Sequence, residues 1–473
     1  MKSFYITTTL PYVNAEPHIG FAMELVRADI IARQKKLQGF DVFLNTGTDE
    51  HGQKIFENSM KSGKDTQEFV DENAKKFKDL KSILGLSEDL HFVRTTDEYH
   101  LHAAEEFWKK CNDAGDIYKK NYKIKYCVGC ELEKQDSEIV NGHCELHPNM
   151  ELEIREEENY FFKFSKFQKP LLDFYNKNPD FVIPGFRFNE IKAFVERGLE
   201  DFSISRLKEK MSWGIPVPGD DKHVMYVWFD ALVSYISTLG WPENTENFEK
   251  FWKEGTPVQY CGKDNLRQQS AMWQAMLMSA GLPNSKHIVI NGFITGNGGV
   301  KMSKSLGNTV NPVDLVSEYG TDAVRYFLAR ELSNFEDSPF TMERFKDSYN
   351  ANLANGLGNL VSRVLTMAEK FGVSLALPES SNIVEIKNFN IVGYMSEIWD
   401  KISNSDKKIQ EKEPFKLFKT DPDSAMRIIS DLLLDLYHIA KMLEPAMPET
   451  SQKILDLIKD SKKPEKPLFL RKD

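Results

Sequence analysis

Three groups of residues in this chain have the types and spacing to do chemistry. Cys127 and Cys130 are separated by two residues, and after a gap of thirteen, Cys144 and His147 repeat that spacing. Paired knuckles of soft or borderline ligands suit tetrahedral zinc. With all four positions filled by protein, the ion would be structural rather than catalytic. The plainer alternative is a cluster of buried thiols. Cys111 and Cys261 have no comparable partners and read as core residues. An odd total of five cysteines does not suggest a disulfide framework.

The second group is Pro17-His18-Ile19-Gly20. Ser3 to Leu10 is rich in Thr, Ile, Tyr and Phe, as a strand should be, and Ile19, Met23, Val26 and Ile30 recur at helical steps before Gly39. Asp41 to Thr46 reads as the next strand, completing a βαβ unit. His18 then sits at a helix N-terminus, where free N–H groups and the dipole favour phosphate. A surface histidine in a Pro-bounded loop is the competing reading. The third group is Lys301-Met302-Ser303-Lys304-Ser305, after Gly296, Gly298 and Gly299. Such a loop can close over a polyphosphate with two lysines neutralising charge, or be an ordinary solvated turn.

A chain of 473 residues has room for two or three domains. It is 41% hydrophobic and 28% charged, and no apolar run approaches a membrane span. The N-terminal residues lack a signal-peptide core, so a cytoplasmic location is expected. The formal net charge of −10 argues against nucleic-acid binding over the whole surface but permits a local basic face. Strand-like runs return at 224–229, 258–261 and 288–290, beyond a stretch from about 113 that carries the Cys/His knuckle and the charged run Glu151 to Glu158. After about 350 helical periodicity takes over, as in Leu353, Leu357, Leu360, Val364 and Ala368, and again in Ile428, Leu432, Leu436, Ile439 and Leu443. The expected fold is α/β: a split, Rossmann-like, doubly wound parallel sheet with an inserted zinc-knuckle domain, followed by an α-helical bundle.

In this order, the segments at 17–20 and 301–305 resemble the HIGH and KMSKS signatures of class I aminoacyl-tRNA synthetases. The likeness narrows to the methionyl-tRNA synthetases through Thr9 to Gly20, Thr46 to Gly52, the knuckle, Ser203 to Arg206, Trp213 to Pro218, Tyr226 to Ala231, Gly262 to Asp264, Lys301 to Ser305 and Asn352 to Leu360. The resemblance implies a methionine–tRNA ligase with ATP, L-methionine and tRNA(Met) as substrates, one structural Zn2+, and Mg2+ with ATP. It implies catalytic roles for His18, Lys301 and Lys304. Pro17, His18, Gly20, Gly262, Asp264, Lys301, Ser303 and Lys304 would bind ATP. Leu10 and Asp49 would hold the amino group of methionine. Tyr12, Trp228, Ala231, Leu232, Tyr235, Gln269 and Trp273 would wall its side chain, although singly these aromatics read as core. Asn352, Arg363 and Phe415 would meet the anticodon. The expected domains are the two catalytic halves at 1–112 and 221–300, the inserted connective domain at 113–220, the KMSKS and stem-contact region at 301–350, and the anticodon-binding bundle at 351–473. A monomer is expected for this chain, or a dimer if a C-terminal tRNA-binding domain is missing from it.

Five positions depart from the family pattern. Phe21 replaces the second histidine of the HIGH segment, Gln268-Gln269 replaces Phe-His, Asn291 replaces another histidine, and Phe415 replaces a tryptophan. Gln269 can still donate a hydrogen bond, so methionine selectivity is expected to persist. A phenylalanine ring can still stack on a base.

Overall fold

A computed structural model of the protein describes residues 2–14, 16–134, 139–299, 302, 309–378 and 384–473. The chain folds into two compact units, residues 1–17, 41–79 and 88–290 in the first, and residues 18–40, 80–87 and 291–473 in the second.

The first unit is built on a six-stranded sheet. Its spatial order is Val182–Ile183, His287–Asn291, Thr256–Gly262, β1 (Ser3–Thr8), β2 (Asp41–Thr48) and β3 (His91–Arg94). β1 pairs in parallel with both Thr256–Gly262 and β2, placing Ile6 beside Val258 and Leu44. β2 pairs in parallel with β3. Phe4 to Thr8 are all buried, as the near-continuous apolar and Thr run of a covered parallel strand requires. The edge strand Val182–Ile183 pairs in parallel with His287–Asn291, although it comes from the stretch expected to lie wholly in the insertion.

The inserted segment is antiparallel. Ile117–Cys127 pairs with Glu153–Phe162 from Ile117 opposite Phe162 to Tyr126 opposite Glu153. Most of the charged run Glu151 to Glu158 therefore lies in a strand. Two of its carboxylates meet lysines, with Lys123 Nζ 3.0 Å from Glu156 and Lys119 Nζ 3.6 Å from Glu158. A further correction concerns residues 224–229. The strand Asp220–Met225 ends there, and Val227–Ser237 is a helix. Every residue of that helix but Trp228 is buried, and a run apolar on all sides carries no period to separate strand from helix.

The second unit contains the helix α1 (Ile19–Leu37) and, beyond residue 340, only helical elements among the described residues. Leu353, Leu357, Leu360, Val364 and Ala368 are all buried, as their spacing predicts. Ile391–Lys412, Pro422–Leu443 and Pro448–Asp460 complete the bundle. No helix among the described residues is long and apolar enough to cross a membrane.

Candidate active site

In the first unit, the carboxyl ends of three adjacent parallel strands deliver the expected pocket residues. Leu10 and Tyr12 follow β1, Asp49 follows β2, and Gly262 ends the strand Thr256–Gly262, with Asp264 exposed in the single turn after it. An isolated bridge joins Tyr12 to Asp49, where Asp49 N–H donates to Pro11 O at 3.0 Å. The ends of parallel strands in such a sheet are where ligands bind.

Asp49 is the most informative residue there. It is 3% exposed, and its Oδ1 has no hydrogen-bond partner. The Tyr12 hydroxyl and the Trp228 Nε1–H are likewise buried and unpaired, and the two rings meet edge-on at 6.5 Å. Native proteins leave few buried polar groups unsatisfied, and three of those in this protein fall together beyond these strand ends. Burial, with the charges of Asp230 and Glu131, holds the Asp49 carboxyl well above its usual range. A cation entering beside it would restore the ionised form.

The neighbouring groups are pinned tightly. Glu50, fully buried, accepts from Thr48 and Thr96 hydroxyls at 2.6 Å and from two guanidinium nitrogens of Arg94 at 2.7 Å. Trp213 Nε1–H donates to Glu50 O at 2.6 Å. His51 Nδ1 lies 3.1 Å from Asp230 Oδ2. Burial alone would raise the Asp230 carboxyl, but His51 and His100 beside it hold it below the ordinary range. Sequence reasoning assigned no role to Glu50, His51, Arg94, Trp213 or Asp230. All but Arg94 lie inside the stretches that carry the family resemblance.

The other expected pocket residues divide. Tyr235 and Trp273 meet edge-on at 6.1 Å, but Trp273 is fully buried and also packs on Phe107 and Trp252, and Leu232 belongs to the same core. Gln269 does donate a hydrogen bond, at 2.6 Å to the Tyr235 hydroxyl, while its Oε1 accepts from Gln259. Gln259 in turn accepts from the Ser285 hydroxyl. The residue expected to vary the pocket is thus one link of a buried amide chain.

The knuckle assembles as its spacing predicts. The four ligand atoms of Cys127, Cys130, Cys144 and His147 lie within 4.8 Å of one another. Cys130 Sγ is 3.4 Å from Cys144 Sγ and 3.1 Å from His147 Nδ1, and Cys127 Sγ is 3.8 Å from His147 Nδ1. Tetrahedral bonds of about 2.3 Å separate ligand atoms by roughly 3.5–3.8 Å, so the donor set fits such an ion. A Cβ on Gly129 would lie 2.6 Å from the His147 ring, which explains glycine inside the knuckle.

In the second unit, His18 is the N-cap of α1, and the Gly20 N–H donates to its Nδ1 at 3.1 Å. A neutral ring accepting at Nδ1 carries its proton on Nε2, leaving that edge a donor. A Cβ at position 20 would fall 2.9 Å from the ring, so Gly20 makes this cap possible. Phe21 is 7% exposed and belongs to the core. Buried Asn291 accepts from Arg27 Nη1 at 3.4 Å. Lys301, Ser303 and Lys304 lie outside the described residues.

A family model for class I tRNA synthetases (M) matches residues 4–149 and 129–365. The methionine–tRNA ligase of Thermotoga maritima is 40% identical over 98% of this chain and 76% of its own. This chain belongs to the class I methionyl-tRNA synthetases. The Nostoc methionine–tRNA ligase is also 40% identical, over 96% of this chain and 89% of its own. The Mycobacterium tuberculosis methionyl-tRNA synthetase in complex with methionyl-adenylate superposes with a TM-score of 0.90, at 35% identity over 97% of this chain and 94% of that one. The apo form of that synthetase gives 0.82, at 31% identity over 100% and 99%. As a methionyl-tRNA synthetase, the chain is an ATP-dependent ligase joining methionine to tRNA.

Proposed function

We propose that Asp49 receives the methionine ammonium, that Leu10 lies beside it, and that Tyr12, Trp228, Ala231, Leu232, Tyr235, Gln269 and Trp273 enclose the thioether. The unpaired, buried Asp49 oxygen among the unpaired Tyr12 and Trp228 donors carries this reading. The methionine carboxylate, ionised at neutral pH, attacks the ATP α-phosphate in line without a general base, and binding supplies the alignment. Asp264, exposed after Gly262, is suited to the ribose hydroxyls. Pro17 and Gly20 shape the His18 cap, whose Nε2 edge would donate to phosphate, and Lys301, Ser303 and Lys304 would stabilise the charge that develops as pyrophosphate departs. Mg2+ accompanies ATP as its counter-ion. The adenylate then passes its acyl group to the tRNA terminal ribose. Methionine-dependent ATP–pyrophosphate exchange that survives in Asp49→Ala at wild-type methionine concentration dependence would refute the pocket.

Cys127, Cys130, Cys144 and His147 would hold zinc, which cross-links strands and turns of the insertion. About one zinc atom per chain is expected by metal analysis of chelator-free preparations. Absence of stoichiometric metal from folded, active enzyme would contradict it.

The bundle is suited to read the anticodon. Phe415 is 43% exposed, on the short helix Pro414–Leu417, which favours a stacking ring over a core residue. Arg363 is ion-paired with Asp406, which also accepts from Gln410 at 2.6 Å. The pair holds the guanidinium for a base edge, and Asn352 offers an amide. Arg363→Ala should reduce tRNA charging roughly tenfold, and Phe415→Ala similarly, since contacts of this kind contribute about 1–3 kcal/mol per base. Pyrophosphate exchange should stay unchanged in both, and a parallel loss of exchange would assign these residues to folding. The enzyme is read as cytoplasmic.

A further inference from the structure

The helix α2 (Gln53–Ser62) begins immediately after the Asp49–Gly52 segment, and its N-cap cannot cap it. Gly52 has no side chain, adopts φ 106°, and leaves the first turn without a side-chain hydrogen bond of its own. The missing acceptor comes from far along the chain. Glu131 follows the knuckle ligand Cys130, takes a left-handed conformation with φ 49°, and is 1% exposed. Its Oε1 accepts from the Lys54 N–H at 2.9 Å.

The approach is close, and the φ of 106° by itself favours glycine. A Cβ on Gly52 would lie 2.6 Å from Glu131 Oε2. An N-terminal carboxylate also meets the positive end of the helix dipole. Next to the knuckle, Arg206 lies over the Tyr126 ring at 5.2 Å and the Tyr226 ring at 4.3 Å, bracing the chain where it enters Cys127. A left-handed glutamate persists only where its surroundings over-determine it, and the Lys54 amide is one such contact.

We propose that Glu131 is a positioning residue for amino-acid binding: it caps α2 from the knuckle and so holds Asp49, three residues before Gly52, in the geometry that receives the substrate ammonium. The inference rests on Asp49 being the ammonium site. It gives the inserted knuckle a part in substrate binding besides its own folding. Gly52 and Glu131 form one device, glycine for access and glutamate for the cap.

The test uses the zinc-loaded enzyme throughout, with metal content checked in each variant. Glu131→Ala should raise the methionine Kd and KM about fivefold, as loss of an N-cap would, with kcat and the ATP KM unchanged. Amide hydrogen exchange over 53–56 should accelerate in the same variant. Glu131→Gln keeps an oxygen acceptor at the same reach, so it should restore the exchange protection to near wild type and leave methionine binding at least as tight as in wild type, since the Glu131 charge opposes Asp49 ionisation. Unchanged methionine affinity in Glu131→Ala, or an equal loss in the alanine and glutamine variants, would overturn the proposal. Should Asp49→Ala leave methionine affinity intact, the ammonium assignment would fail separately, while the exchange data would still report on the cap.

Discussion

Asp49→Ala is expected to weaken methionine binding about tenfold to hundredfold, because a charge-assisted hydrogen bond to a desolvated ammonium contributes roughly 1.5–3 kcal/mol. ATP affinity should move little, since no phosphate or ribose contact is lost. Calorimetric titration of methionine decides it, and an unchanged Kd would put the pocket elsewhere. The pH dependence adds a sign. Burial first, and then the Asp230 and Glu131 charges, raise the Asp49 carboxyl in the ligand-free protein. The ammonium requires the ionised form, so methionine should bind more tightly as pH rises through the Asp49 pKa, with net proton release on binding.

The same shift predicts a stability effect. Relative to the unfolded chain, a raised carboxyl favours the folded state at low pH, and that advantage is lost as pH rises through the folded pKa. Above it, an ionised Asp49 without a cation is a liability. Asp49→Asn should therefore raise the melting temperature of the ligand-free enzyme at alkaline pH by about 2–4 °C while impairing methionine binding. A site built for its ligand rather than for stability behaves in this way.

Lys304→Ala is expected to slow adenylate formation by about 10²–10³, the range typical of removing one preorganised group that stabilises transition-state charge. Methionine affinity should remain near wild type, because the lysine charge meets phosphate most strongly as pyrophosphate leaves. Single-turnover measurement of adenylate formation separates this from slow product release. A normal rate would remove the 301–305 loop from the chemistry. This expectation comes from the sequence, where two lysines and two hydroxyls follow three glycines and match the family loop in order.

Local spacing determined a great deal by itself. The knuckle ligands could be named because metal geometry constrains residue types at short separations, and Cys127, Cys130, Cys144 and His147 do converge. β1, α1 and β2 could be drawn because propensity and period agreed with the fold, with Gly39 as the stop. The burial of Leu353, Leu357 and Leu360 follows from helical period in the same way. The family likeness then supplied Asp49 and the aromatic residues, which no spacing singles out.

Tertiary structure decided the rest, for a common physical reason: each feature depends on groups that meet only after folding. His51 and Asp230 are 179 residues apart, and Glu131 is 77 residues from the Lys54 amide it caps. The direction of the Asp49 shift is a sum over burial and carboxylates from three segments, so no window of sequence contains it. Residues 227–237 became a helix because burial on every side erased their period, and Gln269 joined an amide chain because Gln259 and Ser285 lie within reach in space. Sequence alone told which chemistry the chain carries. Folding settled that Asp49 Oδ1 is buried without a hydrogen-bond partner, and that oxygen is the one proposed to receive the substrate's positive charge.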